Sequence, residues 1–276
     1  MGSSPINVAS RKRRTSQTGS GARFSEHRSV ASIAVEHLTK RYRTGTLALD
    51  DVTFDIADGE FVAVVGPSGC GKSTLLRIMA GLDAASEGRV IVSGAAAGPD
   101  ELPSAIVFQD ASLFPWMRVD ANVAVAFDSL RVPANEVEAR VANVLALVGL
   151  DDAARAWPHE LSGGMKQRAA VARAFVTDPP VLFMDEPFGA LDEQTRVGLA
   201  NELMRLWERS PKTVVFVTHG IEEAVSLADR VIVLSARPGT IKEIVPVSFP
   251  RPRDAVAIRG DAAFGELVVH LWGLLR

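Results

Sequence analysis

The segment Gly66-Pro67-Ser68-Gly69-Cys70-Gly71-Lys72-Ser73-Thr74 fits the pattern G-x-x-x-x-G-K-[ST]. It follows the apolar run Phe61-Val62-Ala63-Val64-Val65 and precedes Leu75-Leu76-Arg77-Ile78-Met79, so it reads as the loop between a buried strand and a helix. Gly66, Gly69 and Gly71 let the backbone curl until successive N–H groups point at phosphate oxygens. The helix opening near Gly71 adds its positive end. Lys72 is expected to bridge the β- and γ-phosphates, Ser73 to place its hydroxyl on Mg²⁺, and Thr74 to support the phosphate lining. A chain with this loop is an α/β protein built on a parallel sheet.

A second apolar run, Val181 to Met184, ends in Asp185 and Glu186, placing two carboxylates at the C-terminal edge of a buried strand, where open α/β sheets bind ligands. Asp185 is expected to hold Mg²⁺, directly or through water, and Glu186 to orient and deprotonate an attacking water. The two segments together point to a nucleotide hydrolase or a kinase. A third, Leu161-Ser162-Gly163-Gly164-Met165, narrows the choice. Ser162 suits a helix N-cap, Gly163 and Gly164 leave backbone N–H groups uncovered, and Lys166 to Val176 reads as the helix that follows, so this end is an anion site.

With His159-Glu160 before that segment and Gln167-Arg168 after it, the chain from about Ile33 to Val247 resembles the ATPase subunit of an ATP-binding cassette (ABC) transporter. The resemblance implies a P-loop NTPase with a RecA-like parallel-sheet core, a small antiparallel β subdomain and a helical subdomain. It implies ATP and Mg²⁺ as cofactors. It also implies that Ser162, Gly163 and Gly164 act in trans on the γ-phosphate held by a second copy, so that two cassettes close head-to-tail around two ATP molecules. Tyr42, the only tyrosine, matches the aromatic that stacks on adenine; Gln109 matches the glutamine that contacts Mg²⁺ and senses the membrane partner. Ala190-Leu191-Asp192 match the loop crossing to the other subunit, and His219, after Thr213 to Thr218, matches the histidine at the γ-phosphate. Two residues depart from the pattern: Met165 stands where glutamine is usual, and Gly220 where an aspartate is common, an exchange expected to loosen the loop that holds His219.

Around the motifs, Ile33–Tyr42 and Leu47–Ile56 alternate as strands, with Val52, Phe54 and Ile56 on one face, and should carry Tyr42 over the adenine. Arg89–Ser93 and Ala105–Phe108 read as further strands, the latter delivering Gln109. The helical insert spans about residues 110 to 178, with Val137, Val141, Val144, Leu145 and Val148 at helical spacing, and Asp178-Pro179-Pro180 ends it. Ser112-Leu113-Phe114-Pro115-Trp116-Met117 reads either as packing or, the preferred reading, as a groove for a helix of a membrane partner. Here, and at Asp185–Asp192 and Ser235-Ala236-Arg237-Pro238-Gly239-Thr240, the chain is similar to ATPases of nitrate, sulfonate and taurine importers. The cassette is assigned to residues 33 to 248 and a linker with a short helix to 249 to 276.

No apolar run approaches the roughly 18 residues of a membrane span, and the N-terminus lacks a secretory core, so the expectation is an intracellular protein peripheral to the cytoplasmic face of the inner membrane. One cysteine, Cys70, precludes an intrachain disulfide and fits a reducing compartment. Lying in the phosphate loop, it reads as a small tolerated residue rather than a redox sensor, with its sulfur expected among N–H groups that favour an anion and the thiolate, where bound Mg-ATP would shield it from alkylation. Residues 1 to 32 carry six basic side chains against Glu26, a net +5 in a chain of −3, which leaves the remainder at −8. That balance disfavours nucleic acid as a partner, and the basic segment reads as a solvated, disordered tail rather than a lipid or nucleic-acid contact. The expected function is ATP hydrolysis driving import of a small anion through a separate permease, fed by a substrate-binding protein. The alternative is a soluble cassette ATPase acting on nucleic acid or ribosomes.

Overall fold

The computed structural model describes residues 31 to 92, 104 to 189 and 191 to 276. The expected tail as far as residue 30, the strand end at Ser93 and the loop residue Ala190 lie outside the described residues. The chain begins with strands β1 (Ala31–Arg41), β2 (Leu47–Ala57) and β3 (Phe61–Val65), helix α1 (Lys72–Met79), and strands β4 (Glu87–Val92) and β5 (Ala105–Val107). The helical insert comprises α2 (Val119–Ala124), α3 (Ala134–Leu147) and α4 (Gly163–Phe175). Then follow β6 (Val181–Asp185), α5 (Glu193–Arg209), β7 (Thr213–Val217), α6 (Ile221–Leu227), β8 (Arg230–Leu234), β9 (Ile241–Pro246) and α7 (Ala262–Leu275). Helix α4 starts at Gly163 rather than at the expected Lys166, because the Ser162 side chain caps the N–H of Met165 and draws both glycines into the first turn.

Strands β2, β1 and β4 form a three-stranded antiparallel sheet, and β5-β6-β7-β3-β8-β9 form a six-stranded sheet that is parallel except for β9. Every residue of β3 and β7 is buried, as expected of central parallel strands covered on both faces, and this explains why they read as unbroken apolar runs. Alternation divides β3 between two cores. Val62 and Val64 face Leu75, Leu76 and the antiparallel sheet, while Phe61, Ala63 and Val65 face the cluster built by the helical insert and α5, α6 and α7.

This sandwich fixes the site. Gln109 follows β5, Glu186 follows β6, His219 follows β7 and the phosphate loop follows β3, so four neighbouring strands release the candidate site residues at one sheet edge. The segment after β9 docks rather than trailing away. Arg253 is buried and donates to the carbonyls of Ala228, Val247 and Phe249. Phe264 and Leu271 of α7 enter the same core. Among the described residues no helix is long and apolar enough to cross a membrane.

Candidate active site

The phosphate loop is shaped by Gly71, whose φ of 103° starts α1 and whose place admits no side chain, since a Cβ there would stand 2.8 Å from Leu49 Cδ2 and 2.9 Å from the Ala48 carbonyl. Lys72 Nζ donates to the carbonyls of Gly66 (2.9 Å) and Pro67 (3.2 Å), which places its ammonium inside the curl. The loop opens into a cleft of about 430 Å³ bounded by Tyr42, Thr44, Ser68, Gly69, Lys72, Ser73, Thr74 and Glu186. At one end the Tyr42 hydroxyl lies 3.0 Å from Thr74 Oγ1, and Lys40 Nζ sits 5.1 Å from the centre of the tyrosine ring. The antiparallel sheet therefore holds this aromatic at the cleft mouth.

Opposite the loop, Ser73 Oγ donates to Asp185 Oδ1 at 3.0 Å, and His219 Nδ1 lies 3.2 Å from Glu186 Oε2. Glu186 adopts a φ of 46°, a left-handed backbone that costs a non-glycine residue free energy and recurs where a catalytic group must be aimed. Gln109 Nε2 and Glu186 Oε2 each come within 3.5 Å of the point where a Cβ on Gly189 would be, so both side chains reach toward that glycine. Burial pushes the Asp185 carboxyl above its ordinary range; the Ser73 hydrogen bond opposes this and the charge of Glu186 adds to it. The paired hydroxyl of Ser73 and carboxylate of Asp185 are donors of the kind that suit Mg²⁺, which takes one or two carboxylates and completes its shell with phosphates and water, while Gln109 lines a separate cavity with Asp110, Gly163 and Gln167.

Two features of the histidine loop bear on the Gly220 departure. The Gly220 N–H donates to Thr218 Oγ1 at 2.9 Å, and the Thr218 hydroxyl donates to Glu223 of α6. The loop is thus held by a backbone N–H and a neighbouring hydroxyl.

Ser162 and Gly163 are exposed, and neither they nor Gly164 line the phosphate-loop cleft of their own chain; Gly164 lies against Thr195 of α5. Asp192 caps α5 through the Thr195 N–H at 3.1 Å. Trp116 is 68% exposed and packs on Phe114 with ring centres 5.4 Å apart. Asn122, fully buried, staples this turn: it accepts from the Phe114 N–H and donates to the carbonyls of Phe114, Met117 and Arg118.

Comparison with known proteins decides the family. Residues 49–189 match the family model described as ABC transporter. An uncharacterised ABC transporter ATP-binding protein of Methanocaldococcus jannaschii is 46% identical over 234 residues, 84% of this chain and 88% of that one. The chain belongs to the ABC transporter family. The aliphatic sulfonates import ATP-binding protein SsuB of Bacillus cereus is 41% identical over 225 residues, 80% of this cassette and 88% of its own length. Among solved structures, the dimeric post-hydrolysis state of the ATP-binding cassette MJ0796 bound to ADP and Pi superposes with a TM-score of 0.67 at 32% identity, covering 79% of this chain and all of that one. This chain is accordingly an ABC ATPase that binds and hydrolyses ATP.

One expectation about the cassette is corrected. Cys70 is 1% exposed, its Sγ lies 2.6 Å from where a Gly66 Cβ would stand, and it belongs to the core beneath the loop. Burial raises its thiol pKa more than the nearby Lys72 lowers it. The sulfur therefore points away from the phosphates and only the backbone of Cys70 belongs to the cradle. The sequence motifs contain Arg237 and Gln167 but assign them no role, and Thr44, Thr46 and Arg173 likewise receive none; Arg237, Thr44 and Thr46 border the cleft, and Gln167 and Arg173 tie α4 to residues 108 to 112. These contacts join segments distant in the chain, and none carries a local spacing.

Proposed function

We propose that this cassette is the ATP-hydrolysing subunit of an importer for a small anion, nitrate, a sulfonate, taurine or similar, and that it sits on the cytoplasmic face of the inner membrane against a separate permease. The observation that carries the composite site is the exposed, capped N-terminus of α4, which does not line the nucleotide cleft of its own chain. An open helix end with Ser162, Gly163 and Gly164 offers backbone donors to an anion, and a second copy docked head-to-tail would supply the γ-phosphate. The dimeric form of the MJ0796 cassette supports this reading. Tyr42 stacks on the base, residues 66 to 74 cradle the triphosphate, and Lys72 neutralises its outer phosphates. Glu186 takes the proton of the attacking water, and His219, 3.2 Å away, holds that carboxylate toward the γ-phosphate. Mg²⁺, when bound with nucleotide, would be held by Ser73, Asp185 and Gln109 and would offset charge on the phosphate oxygens. Asp192 lies on the loop that meets the partner cassette.

The importer assignment rests on the likeness to the sulfonate ATPase and on the exposed Trp116, packed on Phe114 a few residues after Gln109. A large aromatic left in water next to a nucleotide-sensing residue suits a permease helix better than nucleic acid, which an acidic cassette repels. Reconstitution with the permease and substrate-binding protein in lipid should show ATP turnover stimulated by one of nitrate, taurine, aliphatic sulfonates, bicarbonate or pyrimidine precursors. Trp116→Ala should lose the stimulation while binding ATP normally. Stimulation by RNA, DNA or ribosomes in place of these anions, with no permease association in pull-downs, would contradict the importer reading.

A further inference from the structure

The loop between β8 and β9, residues 235 to 240, leaves the same sheet edge as the phosphate loop, because β8 is the parallel neighbour of β3. It is fastened from both sides. The Gly239 N–H donates to the Ala48 carbonyl (2.9 Å) and the Gly239 carbonyl accepts from the Asp50 N–H (3.0 Å). A Cβ on Gly239 would fall 2.2 Å from the Cys70 carbonyl, so the loop backbone lies directly against the phosphate loop. Ser235 Oγ accepts from the Thr240 N–H and donates to the Pro238 carbonyl, which closes the turn on itself.

This rigid mount carries one charged side chain, Arg237. Its Nε donates to the Gly69 carbonyl at 3.2 Å and the guanidinium borders the nucleotide cleft. No carboxylate pairs with it among the described residues, unlike Arg196, Arg230 and Arg251, which meet Glu223, Glu60 and Asp229. The position along the cleft is also defined. Tyr42 on Thr74 marks the base end, whereas the Lys72 ammonium on Gly66 and Pro67 marks the end for the outer phosphates, and Gly69, whose carbonyl Arg237 engages, stands between Pro67 and Lys72 in the chain.

We propose that Arg237 is a further nucleotide-binding residue, a second cation that grips the outer phosphates of the triphosphate from the β8–β9 loop. This rests on the nucleotide site proposed above. An unpaired guanidinium, anchored through Nε, keeps its terminal donors for a phosphate oxygen, and charge-assisted contacts of this kind are the strong ones. Because the contact is to the outer phosphates, it should discriminate ATP from ADP.

The test is calorimetric titration of the full chain with Mg-ATP and Mg-ADP for wild type, Arg237→Gln, Arg237→Lys and Lys72→Ala. Arg237→Gln should weaken ATP binding by about tenfold and ADP binding by clearly less, and Arg237→Lys should lie between it and wild type. Equal weakening for both nucleotides, or none, while Lys72→Ala loses ATP, would overturn the role of Arg237 and leave the site intact. Unchanged ATP affinity in Lys72→Ala would instead bring down the nucleotide-site assignment, and Arg237 with it. A thermal melt matching wild type establishes that a weakened variant is folded; should Arg237→Gln melt early, Arg237→Lys, which keeps a charge and a donor, carries the comparison.

Discussion

At the scale of single residues, Glu186 and Cys70 show opposite relations between sequence and structure. Glu186 follows the buried strand β6, takes a left-handed backbone and meets His219, a costly arrangement that suits a group aimed at one water molecule. Glu186→Gln should therefore retain ATP binding while hydrolysis slows at least tenfold, as steady-state turnover and nucleotide titration would reveal; near-normal turnover would remove Glu186 from the role of base. Cys70 lies in the most recognisable motif of the chain, yet its side chain belongs to the core. Its raised thiol pKa and burial predict slow alkylation by iodoacetamide in the native protein, unaltered by Mg-ATP, and rapid alkylation after unfolding. Fast native labelling with nucleotide protection would place the sulfur in the cleft after all. A motif prescribes which backbone positions face the ligand, but the direction of a variable side chain within it is set by the packing underneath.

Two helices link the site to the rest of the cassette. Helix α4 starts at the signature residues, and further along it Gln167 Nε2 reaches the Phe108 carbonyl (3.4 Å) while Arg173 donates to the carbonyls of Ala111 and Ser112 (both 2.9 Å). The element that would touch the partner's nucleotide thus also holds the segment from Gln109 to the Trp116 turn, a physical route between hydrolysis and the surface proposed for the permease. Helix α6 carries Glu223, which accepts from Thr218 beside His219 and faces Arg196 of α5 at 3.8 Å, with Glu193 adding like charge and His219 opposite charge. Burial, the largest influence, raises the Glu223 pKa above the ordinary 4.5, against the Thr218 hydrogen bond and Arg196. The folded state therefore holds this proton to higher pH than the unfolded chain. That contribution to stability is full below pH 4.5 and is lost as pH rises through the folded pKa. In thermal melts, Glu223→Gln should gain stability relative to wild type as the pH is raised from about 5 to 8. A difference independent of pH would contradict the raised pKa.

For the molecule as a whole, the sheet order explains how much could be read in advance. Buried parallel strands leave continuous apolar runs in the sequence, and the turns at their C-terminal ends carry the phosphate loop, Asp185-Glu186 and His219, so the core and most of the candidate site were legible. Arg237, Glu223, Gln167 and Asn122 were not, because each acts through a contact made only when distant segments pack. The segment after residue 249 had no motif to read, and its place follows from Arg253 filling a ring of carbonyls and from α7 closing the core. The whole account turns on two copies sharing each site, and the slow variant isolates that claim. Glu186→Gln, examined by sedimentation velocity with Mg-ATP and with Mg-ADP, should form a species of twice the monomer mass with ATP alone, and adding Ser162→Arg to the same chain should return it to monomer. A Glu186→Gln protein that stays monomeric at saturating Mg-ATP, with nucleotide demonstrably bound, would contradict the shared site.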